Sequence, residues 1–463
     1  MNTITIDVAI LGAGTAGLAA YRAAKAAGKT ALLIEGGPYG TTCARVGCMP
    51  SKLLIAAAEA AHEARHTAPF GVHVVGDIVI DGREVMDRVR RERDRFVGFV
   101  LESVDGIPAE DKLRGYARFV DNLTLQVDDH TTVKAGRVVI ATGSSPSIPE
   151  PFKVFGDRLI VNDDVFSWKT LPRRVAVFGP GVIGLELGQA LSRLGVEVRV
   201  FGARGGVGPL SDPAIRDYAR TTFQNEFYLD PDAKIESMAR DGDEAVIRYV
   251  SLTGETVTER FDYVLAATGR SPNVAGLGLE NTGLELDARG VPLFDRETLQ
   301  CGSSPVFIAG DANNILPLLH EAADEGKTAG SNAASYPDVK PGLRRAPIGV
   351  VFSDPQIAMV GARFADLEPG SFVTGQVSFE NQGRSRVMLK NRGLMHVYAD
   401  KATGAFLGAE WIGPRAENIA HTLGWAVQMG LTVEQMLEMP FYHPVVEEGV
   451  RTGLRDSMTK LPS

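Results

Sequence analysis

The feature that most constrains this chain is a strand–turn–helix–strand pattern that occurs twice, each time with GxGxxG at its first turn. In the first copy, a β-rich run over 4–11 leads into Gly12-Ala13-Gly14-Thr15-Ala16-Gly17. An alanine-rich helical stretch to Ala27, Gly28 and a second strand over 31–35 follow. In the second copy, residues 174–178 lead into Gly179-Pro180-Gly181-Val182-Ile183-Gly184, a helix over 185–194, Gly195 and a returning strand over 196–201. Glycines at these positions allow a tight turn, close approach of the main chain to a pyrophosphate, and tight packing of helix on strand. The positive end of the helix then faces the phosphates. One such turn is weak evidence, because glycine-rich turns are common. Two, each in a full βαβ setting, predict two dinucleotide sites in an α/β fold.

Other signals place the remaining boundaries. A short strand over 137–140 ends in Ala141-Thr142-Gly143, and one over 261–267 ends in Thr268-Gly269-Arg270. A third, over 306–309, closes on Gly310-Asp311. From about residue 345 the texture changes to strands such as 349–352 and 395–399 and a helix over 416–429, with no further glycine-rich turn. That shift marks a final α+β domain. The expected organisation is a first nucleotide domain over 1–145, a second over 146–270, a return to the first over 271–345 and an α+β domain over 346–463.

Composition narrows the class. A chain of 463 residues is too long for one ordinary core, and its 44% hydrophobic and 23% charged residues are ordinary for a globular protein. The net charge of −9 argues against nucleic acid as a partner. No basic region precedes an apolar stretch at the start, and no run of about 18 apolar residues occurs, so neither a signal peptide nor a membrane span is expected. The expectation is a soluble, cytoplasmic enzyme of small molecules, without metal.

The nucleotides differ in one residue. In such a unit a carboxylate at the end of the second strand accepts hydrogen bonds from a ribose. The step that leads from Gly12 to Glu35 leads from Gly179 to Gly202, with no acid beside it and Arg204 two residues on. Loss of the acid removes the usual discrimination against a 2′-phosphate, and Arg204 is a candidate partner for one.

Three cysteines in so long a chain do not make a disulfide scaffold. Cys43 and Cys48, however, stand close together in Gly40-Thr41-Thr42-Cys43-Ala44-Arg45-Val46-Gly47-Cys48-Met49-Pro50-Ser51-Lys52. Pro50 lacks an amide hydrogen and belongs in the first turn of a helix, which puts Cys48 at the helix N-terminus, where the dipole favours a thiolate. In a regular helix these two residues would be separated by a rise of about 7.5 Å. A disulfide needs Cα atoms about 4.4–6.8 Å apart. The pair can bridge only across a distorted stretch, which Gly47 allows, and a strained bridge is reducible. Cys301, in a polar loop without a close cysteine or histidine, is read as incidental.

These residues together resemble the class I pyridine nucleotide-disulfide oxidoreductases. The likeness covers essentially the whole chain: both nucleotide turns, the cysteine segment, Ala141-Thr142-Gly143, Gly310-Asp311, and a terminal His443-Pro444 with Glu448 following. The resemblance implies FAD along the first unit, contacted by Gly12, Gly14, Gly17, Glu35, Thr42, Lys52, Ala141, Thr142, Gly143, Gly310 and Asp311. It implies NAD(P) along the second, at Gly179, Gly181, Gly184, Glu186, Arg204 and Gly269. Cys48 would lie against the isoalloxazine ring as the charge-transfer thiol, and Cys43 would exchange with substrate. Lys52 would sit near flavin N5, paired with Glu186. His443, oriented by Glu448, would serve the site of the other subunit of a homodimer formed through residues 346–463. A histidine suits this task, since a dithiol must lose protons before giving up electrons.

Within the family the chain most resembles the dihydrolipoamide dehydrogenases, notably in Ser353-Asp354-Pro355-Gln356-Ile357-Ala358 and Asn381-Gln382-Gly383-Arg384-Ser385-Arg386. It lacks the C-terminal cysteine pair of mercuric reductases and the redox tail of large thioredoxin reductases. Departures from the pattern are Thr41 for a glycine, Arg45 for an asparagine, Phe441 for the first histidine of His-x-His-Pro, and Gly202 for an acid. The leading expectation is oxidation of dihydrolipoamide by NAD⁺, on its own or docked to a 2-oxoacid dehydrogenase-type complex. The alternative is NADPH-driven reduction of another disulfide, oxidised thiol or electrophile. A flavin-binding scaffold without catalysis would predict decay of the redox residues, and all are intact.

Overall fold

The computed structural model describes residues 2–462. Contacts divide the chain into two units built from interleaved stretches. Met1–Pro50, Arg88–Ser147 and Gly269–Arg344 form one, and Ser51–Asp87, Ile148–Thr268 and Arg345–Ser463 form the other.

In the first unit, Val8 to Leu11 and Ala31 to Ile34 are at most 2% exposed, as expected of strands covered on both faces. The strands Lys112–Arg114, Ala31–Glu35, Asn2–Leu11 and Thr131–Ile140 lie side by side in parallel, and Val306–Ile308 pairs in parallel with the end of Thr131–Ile140. Thr124–Val127 and Ala117–Phe119 extend the sheet as an antiparallel meander. The helices Thr15–Ala26 and Leu319–Ser335 cover it through Ala16, Ala20 and Ala329. The strand expected over 137–140 begins earlier, at Thr131. Its first half alternates buried and exposed residues, a half-covered pattern that the glycine at 136 obscures in the sequence. Cys301 does not lie in an exposed polar loop. It is fully buried, bridged to Phe294, and burial pushes its thiol up to about 12, which makes it an inert core residue.

The second unit holds a five-stranded parallel sheet in the order Tyr228–Asp230, Glu197–Phe201, Arg174–Phe178, Tyr263–Ala266, Leu159–Ile160. The hairpin strands Lys234–Asp241, Glu244–Val250 and Thr256–Phe261 form a separate antiparallel sheet. A second five-stranded sheet, antiparallel throughout, runs Ile348–Val351, Gln356–Gly361, Phe406–Gly413, Leu394–Asp400, Phe372–Ser378. Its core gathers Phe379, Val397 and Trp411 with Ile419 and Leu423 of the helix Ala416–Gln428 and Leu454 of the helix Glu448–Met458. Among the described residues no helix is long and apolar enough to cross a membrane.

Candidate active site

The two glycine turns are built on one steric plan. Gly12 has φ +105°, and a Cβ there would lie 2.4 Å from the Ala141 carbonyl oxygen; Gly179, at φ +108°, would put one 2.2 Å from that of Ala267. A Cβ on Gly17 would fall 1.9 Å from the Gly12 oxygen, and one on Gly184 would fall 1.8 Å from the Gly179 oxygen. Neither overlap can be relieved by rotating a side chain, so both turns require glycine. The middle glycines are the opposite case. A Cβ on Gly14 or Gly181 would meet nothing within 4 Å. Each faces open space at the start of a twelve-residue helix, Thr15–Ala26 or Val182–Arg193, where a pyrophosphate has room to approach the main-chain amides.

At the end of the second strand the two units part. Glu35 accepts hydrogen bonds from the amides of Ala13 (2.8 Å) and Gly37 (2.7 Å), so its carboxylate holds the turn and still has lone pairs for a ribose. Gly202 has no side chain, and Arg204 is exposed with φ +74°. Asp232, which lies thirty residues from Gly202 in sequence, accepts the Arg204 amide at 3.0 Å. The expectation of no acid near Gly202 therefore holds along the chain and fails in space.

Beside the first turn, the Thr142 hydroxyl donates to the Asn273 carbonyl (2.7 Å), and the Asn273 side-chain amide donates back to the Thr142 carbonyl (3.0 Å). Gly143 is left with φ +71° and open space where a Cβ would point, and Gly269 has φ +108° with the same openness. Asp311, in the turn Gly310–Asn313, accepts from the Ser144 hydroxyl at 2.6 Å, and Arg270 donates to that hydroxyl and to the Ser144 carbonyl. The Gly310 amide donates to buried Glu325. Ser144, Asn273 and Glu325 were not singled out in the sequence, and Arg270 entered only as the end of Thr268-Gly269-Arg270, with no role given to it. Each reaches its partner only through strand pairing or a helix crossing.

The cysteine segment forms two helices with a break of one residue. Thr42–Val46 ends at Gly47, with φ −126° and ψ −117°, and Cys48–Arg65 follows at once. A Cβ on Gly47 would lie 3.1 Å from the Thr42 oxygen and 3.2 Å from Cys43 Cα, so glycine lets the two turns stack. Cys43 is half-buried, whereas Cys48 is exposed and is the first residue of its helix, with Pro50 in the same turn. Thr41 adopts φ 56°, ψ 150°, a conformation nearly reserved for glycine, which costs about 1–3 kcal/mol. The strain accounts for a glycine being usual at that position. The Thr41 hydroxyl offsets part of the cost by accepting the Ala44 amide.

In the second unit Lys52 meets Glu186 at 2.8 and 3.0 Å, one distance to each carboxylate oxygen. The Glu186 side chain is 5% exposed, and a charge so buried requires its partners. Phe352 serves both members of the pair: its amide donates to Glu186 at 3.0 Å, and the centre of its ring lies 4.4 Å from the Lys52 ammonium. Gln189, one turn beyond Glu186, fixes that segment by exchanging hydrogen bonds with the main chain of Asp354 (2.8 Å each). His443 Nδ1 lies 3.0 Å from Glu448, its side chain 80% exposed. The hydrogen bond from His443 holds the Glu448 carboxyl below its usual range, and the Arg451 guanidinium adds a positive charge at 3.1 Å. No group of three metal-ligating side chains occurs among the described residues.

Residues 6–326 match the pyridine nucleotide-disulphide oxidoreductase family, and residues 348–453 match the dimerisation domain of that family, which supports a homodimer. A dihydrolipoyl dehydrogenase of Haloferax volcanii is 32% identical, over 98% of this chain and 96% of that protein. A mercuric reductase of Shigella flexneri is 30% identical, over 96% of this chain and 80% of its own length. Among solved structures, LpdA of Mycobacterium tuberculosis superposes with a TM-score of 0.82 at 24% identity, over 98% and 99% of the two chains. The Cu(II) complex of the HOCl-induced flavoprotein disulfide reductase RclA of Escherichia coli superposes with a TM-score of 0.80 at 23% identity, over the whole of both chains. Relatives with different substrates thus stand at nearly the same distance. The chain belongs to the pyridine nucleotide-disulphide oxidoreductases, a family that uses FAD and NAD(P).

Proposed function

We propose that this enzyme passes two electrons between a nicotinamide nucleotide and a thiol/disulfide substrate through Cys43 and Cys48, with dihydrolipoamide as the dithiol. The observation that carries the reading is the break at Gly47, which stacks the Cys43 turn on the first residue of the helix Cys48–Arg65. A thiolate at that helix end is stabilised, which suits Cys48 to the charge-transfer role, and half-buried Cys43 on the preceding turn is the sulfur that exchanges with substrate. In the proposed direction a dihydrolipoamide thiolate attacks the Cys43–Cys48 bridge at Cys43. The second substrate thiolate then displaces Cys43 from the mixed disulfide, leaving lipoamide and a reduced cysteine pair. FAD, held along the first glycine turn by residues such as Glu35 and Asp311, would supply the two-electron carrier between that dithiol and NAD⁺, and the overall balance is lipoamide, NADH and one released proton.

The remaining residues hold or move charge. His443 takes the substrate thiol protons, and Glu448 fixes its tautomer and stabilises the imidazolium. In the homodimer that histidine serves the cysteines of the other subunit. Lys52 keeps a fixed positive charge, which Glu186 and Phe352 orient. Residues 1–145 and 271–345 hold FAD, 146–270 hold the nicotinamide nucleotide, and 346–463 pair the subunits. The cytoplasm is the expected compartment, and docking to a 2-oxoacid dehydrogenase-type complex is compatible with the dithiol substrate.

Cys48→Ser is expected to abolish turnover with dihydrolipoamide and with lipoamide while FAD stays bound; retained disulfide activity would refute the relay. His443→Gln is expected to slow the thiol half-reaction by about 10²–10⁴-fold and to leave flavin reduction by the nicotinamide nucleotide near its starting rate. The second reading, an NADPH-driven reductase of another disulfide, is favoured by the absence of an acid at Gly202. Dihydrolipoamide oxidation measured side by side with NAD⁺ and NADP⁺ separates the two.

A further inference from the structure

We propose that Glu410 and Asp212 are positioning residues for the second nucleotide turn, which the dimerisation domain holds in shape through the loop 203–212. This role rests on reading that turn as the nicotinamide nucleotide site. It is independent of the disulfide substrate and of the choice between NAD⁺ and NADP⁺.

The need for an outside anchor follows from one residue. In the first turn, Glu35 holds the amide of Ala13, the residue between the first two glycines. The corresponding residue of the second turn is Pro180, which has no amide hydrogen to give. No carboxylate can hold it as Glu35 holds Ala13, and Gly202 supplies none. Pro180 is held by its carbonyl instead, which accepts the Gly208 amide at 2.7 Å. The placement of the turn thereby depends on the loop that carries Gly208.

That loop, Ala203-Arg204-Gly205-Gly206-Val207-Gly208-Pro209-Leu210-Ser211-Asp212, contains three glycines and would be loose by itself. Its anchors lie in the antiparallel sheet of the dimerisation domain. At Gly208 (φ +57°) a Cβ would lie 3.2 Å from Ile357 Cδ1 and 3.4 Å from Leu185 Cδ1, so this part is wedged between the sheet and the helix Val182–Arg193. At the far end, fully buried Glu410 accepts the amides of Ser211 (2.7 Å), Asp212 (3.0 Å) and Phe364 (2.9 Å), together with the Ser211 hydroxyl. A carboxylate so buried is tolerated only while its hydrogen bonds are made. Asp212, 2% exposed, caps the helix Pro213–Gln224 with one oxygen. Its other oxygen meets His396 Nδ1 (2.6 Å) and the Tyr398 hydroxyl (3.0 Å). His396 stands directly opposite Glu410 on the adjacent strand. Side chains alternate across a strand, so these residues face the loop while Val397, Ala409 and Trp411 face the core with Leu454. Gly208 is three residues from Ser211, a span of at most about 11 Å, and Pro209 stiffens it. A shift at Ser211 is therefore felt at Pro180. Glu410, 199 positions from Ser211 in sequence, does for the second turn what Glu35 does locally for the first.

The test is flavin reduction by the nicotinamide nucleotide in the full-length FAD-loaded enzyme, followed by stopped flow, which needs no disulfide substrate. NADH or NADPH is used, whichever reduces the native flavin faster, and its concentration dependence gives an apparent Kd and a limiting rate. Glu410→Gln turns an NH₂ group against main-chain amides. It should raise the Kd about 10-fold and leave the limiting rate within about twofold of native. Ser211→Ala and Asp212→Asn should each raise the Kd about 2- to 5-fold. Flavin content and dimer size should stay native in all three. Leu454→Ala, which opens a cavity on the opposite face of the same sheet, should lower the melting temperature and leave the Kd as it was. An unchanged Kd in Glu410→Gln would overturn the proposal. So would a rise in Leu454→Ala equal to that in Glu410→Gln, because the effect would then be a general loss of stability. If Glu410→Gln does not fold, Ser211→Ala decides by the same criterion. A native enzyme whose flavin neither nucleotide reduces would take down the reading of the turn itself, whereas the other failures leave that reading standing.

Discussion

The two nucleotide turns share their steric plan and diverge at a single place. In both, the first glycine packs under a carbonyl of the neighbouring strand and the third packs on the first, within a few tenths of an ångström of the same distances. The divergence comes at the strand that follows. Glu35 turns a carboxylate back onto the loop, whereas the site after Phe201 is filled by the main chain of Pro231. Main-chain recognition of a pyrophosphate tolerates no variation, because it depends on the absence of side chains. Discrimination between nucleotides is carried by one side chain and changes freely. The shared part says that a dinucleotide binds; only the part that differs says which one.

The largest effects should come from the shared glycines, and they should separate the two units. Gly17→Ala is expected to give protein that purifies without flavin. Gly184→Ala should retain flavin, read as absorbance per chain, and lose NAD(P)H oxidation by at least about 100-fold, given the 1.8 Å overlap. Loss of flavin from Gly184→Ala would mean that the two sites do not act separately. Next is Glu35→Ala, which strands two main-chain amides; a cost of about 2–4 kcal/mol and weakened flavin retention are expected in thermal melts and dialysis. Gly202→Glu, which copies the first unit into the second, should cost about 1–3 kcal/mol by overpacking and bring no gain in NADH use over NADPH. A gain in NADH use would show that Pro231 yields easily. The smallest effect is a control in which the units agree. Gly28 (φ +76°) and Gly195 (φ +89°) follow corresponding helices and have open space around them. Alanine at either should cost about 1–2 kcal/mol, lowering the melting temperature by a few degrees, and leave both nucleotides bound.

The same comparison shows what the sequence carries. Strands Ala31–Glu35 and Arg174–Phe178 have the bounds expected from their apolar runs, because both are short, buried and closed by glycine turns. The cysteine helix was legible from Pro50 and from the position of Cys48. Contacts between distant residues were not. Lys52 and Glu186 are paired across a separation no motif spans, and only the family resemblance suggested it. Phe352, which touches both, reads in the sequence as one more apolar strand residue. Asp232 was missed for a related reason: the parallel strand Tyr228–Asp230 delivers it to Gly202, and parallel pairing joins residues far apart in the chain. Cys301 was misread because its polar neighbours suggested a loop, while the side chain itself turns into the core.

The interleaving of the two units has a consequence for synthesis. The first unit draws on Gly269–Arg344, and the second on Arg345–Ser463. Neither can close until the ribosome has passed residue 344, although the strand Asn2–Leu11 emerges first and its end is apolar on both faces. At about 5–20 residues per second, that strand waits on the order of tens of seconds for partners. During that time it is a target for chaperones and a hazard for aggregation. A chain cut short anywhere in its first two-thirds would contain neither unit complete, and expressing either one alone would require splicing separated segments together.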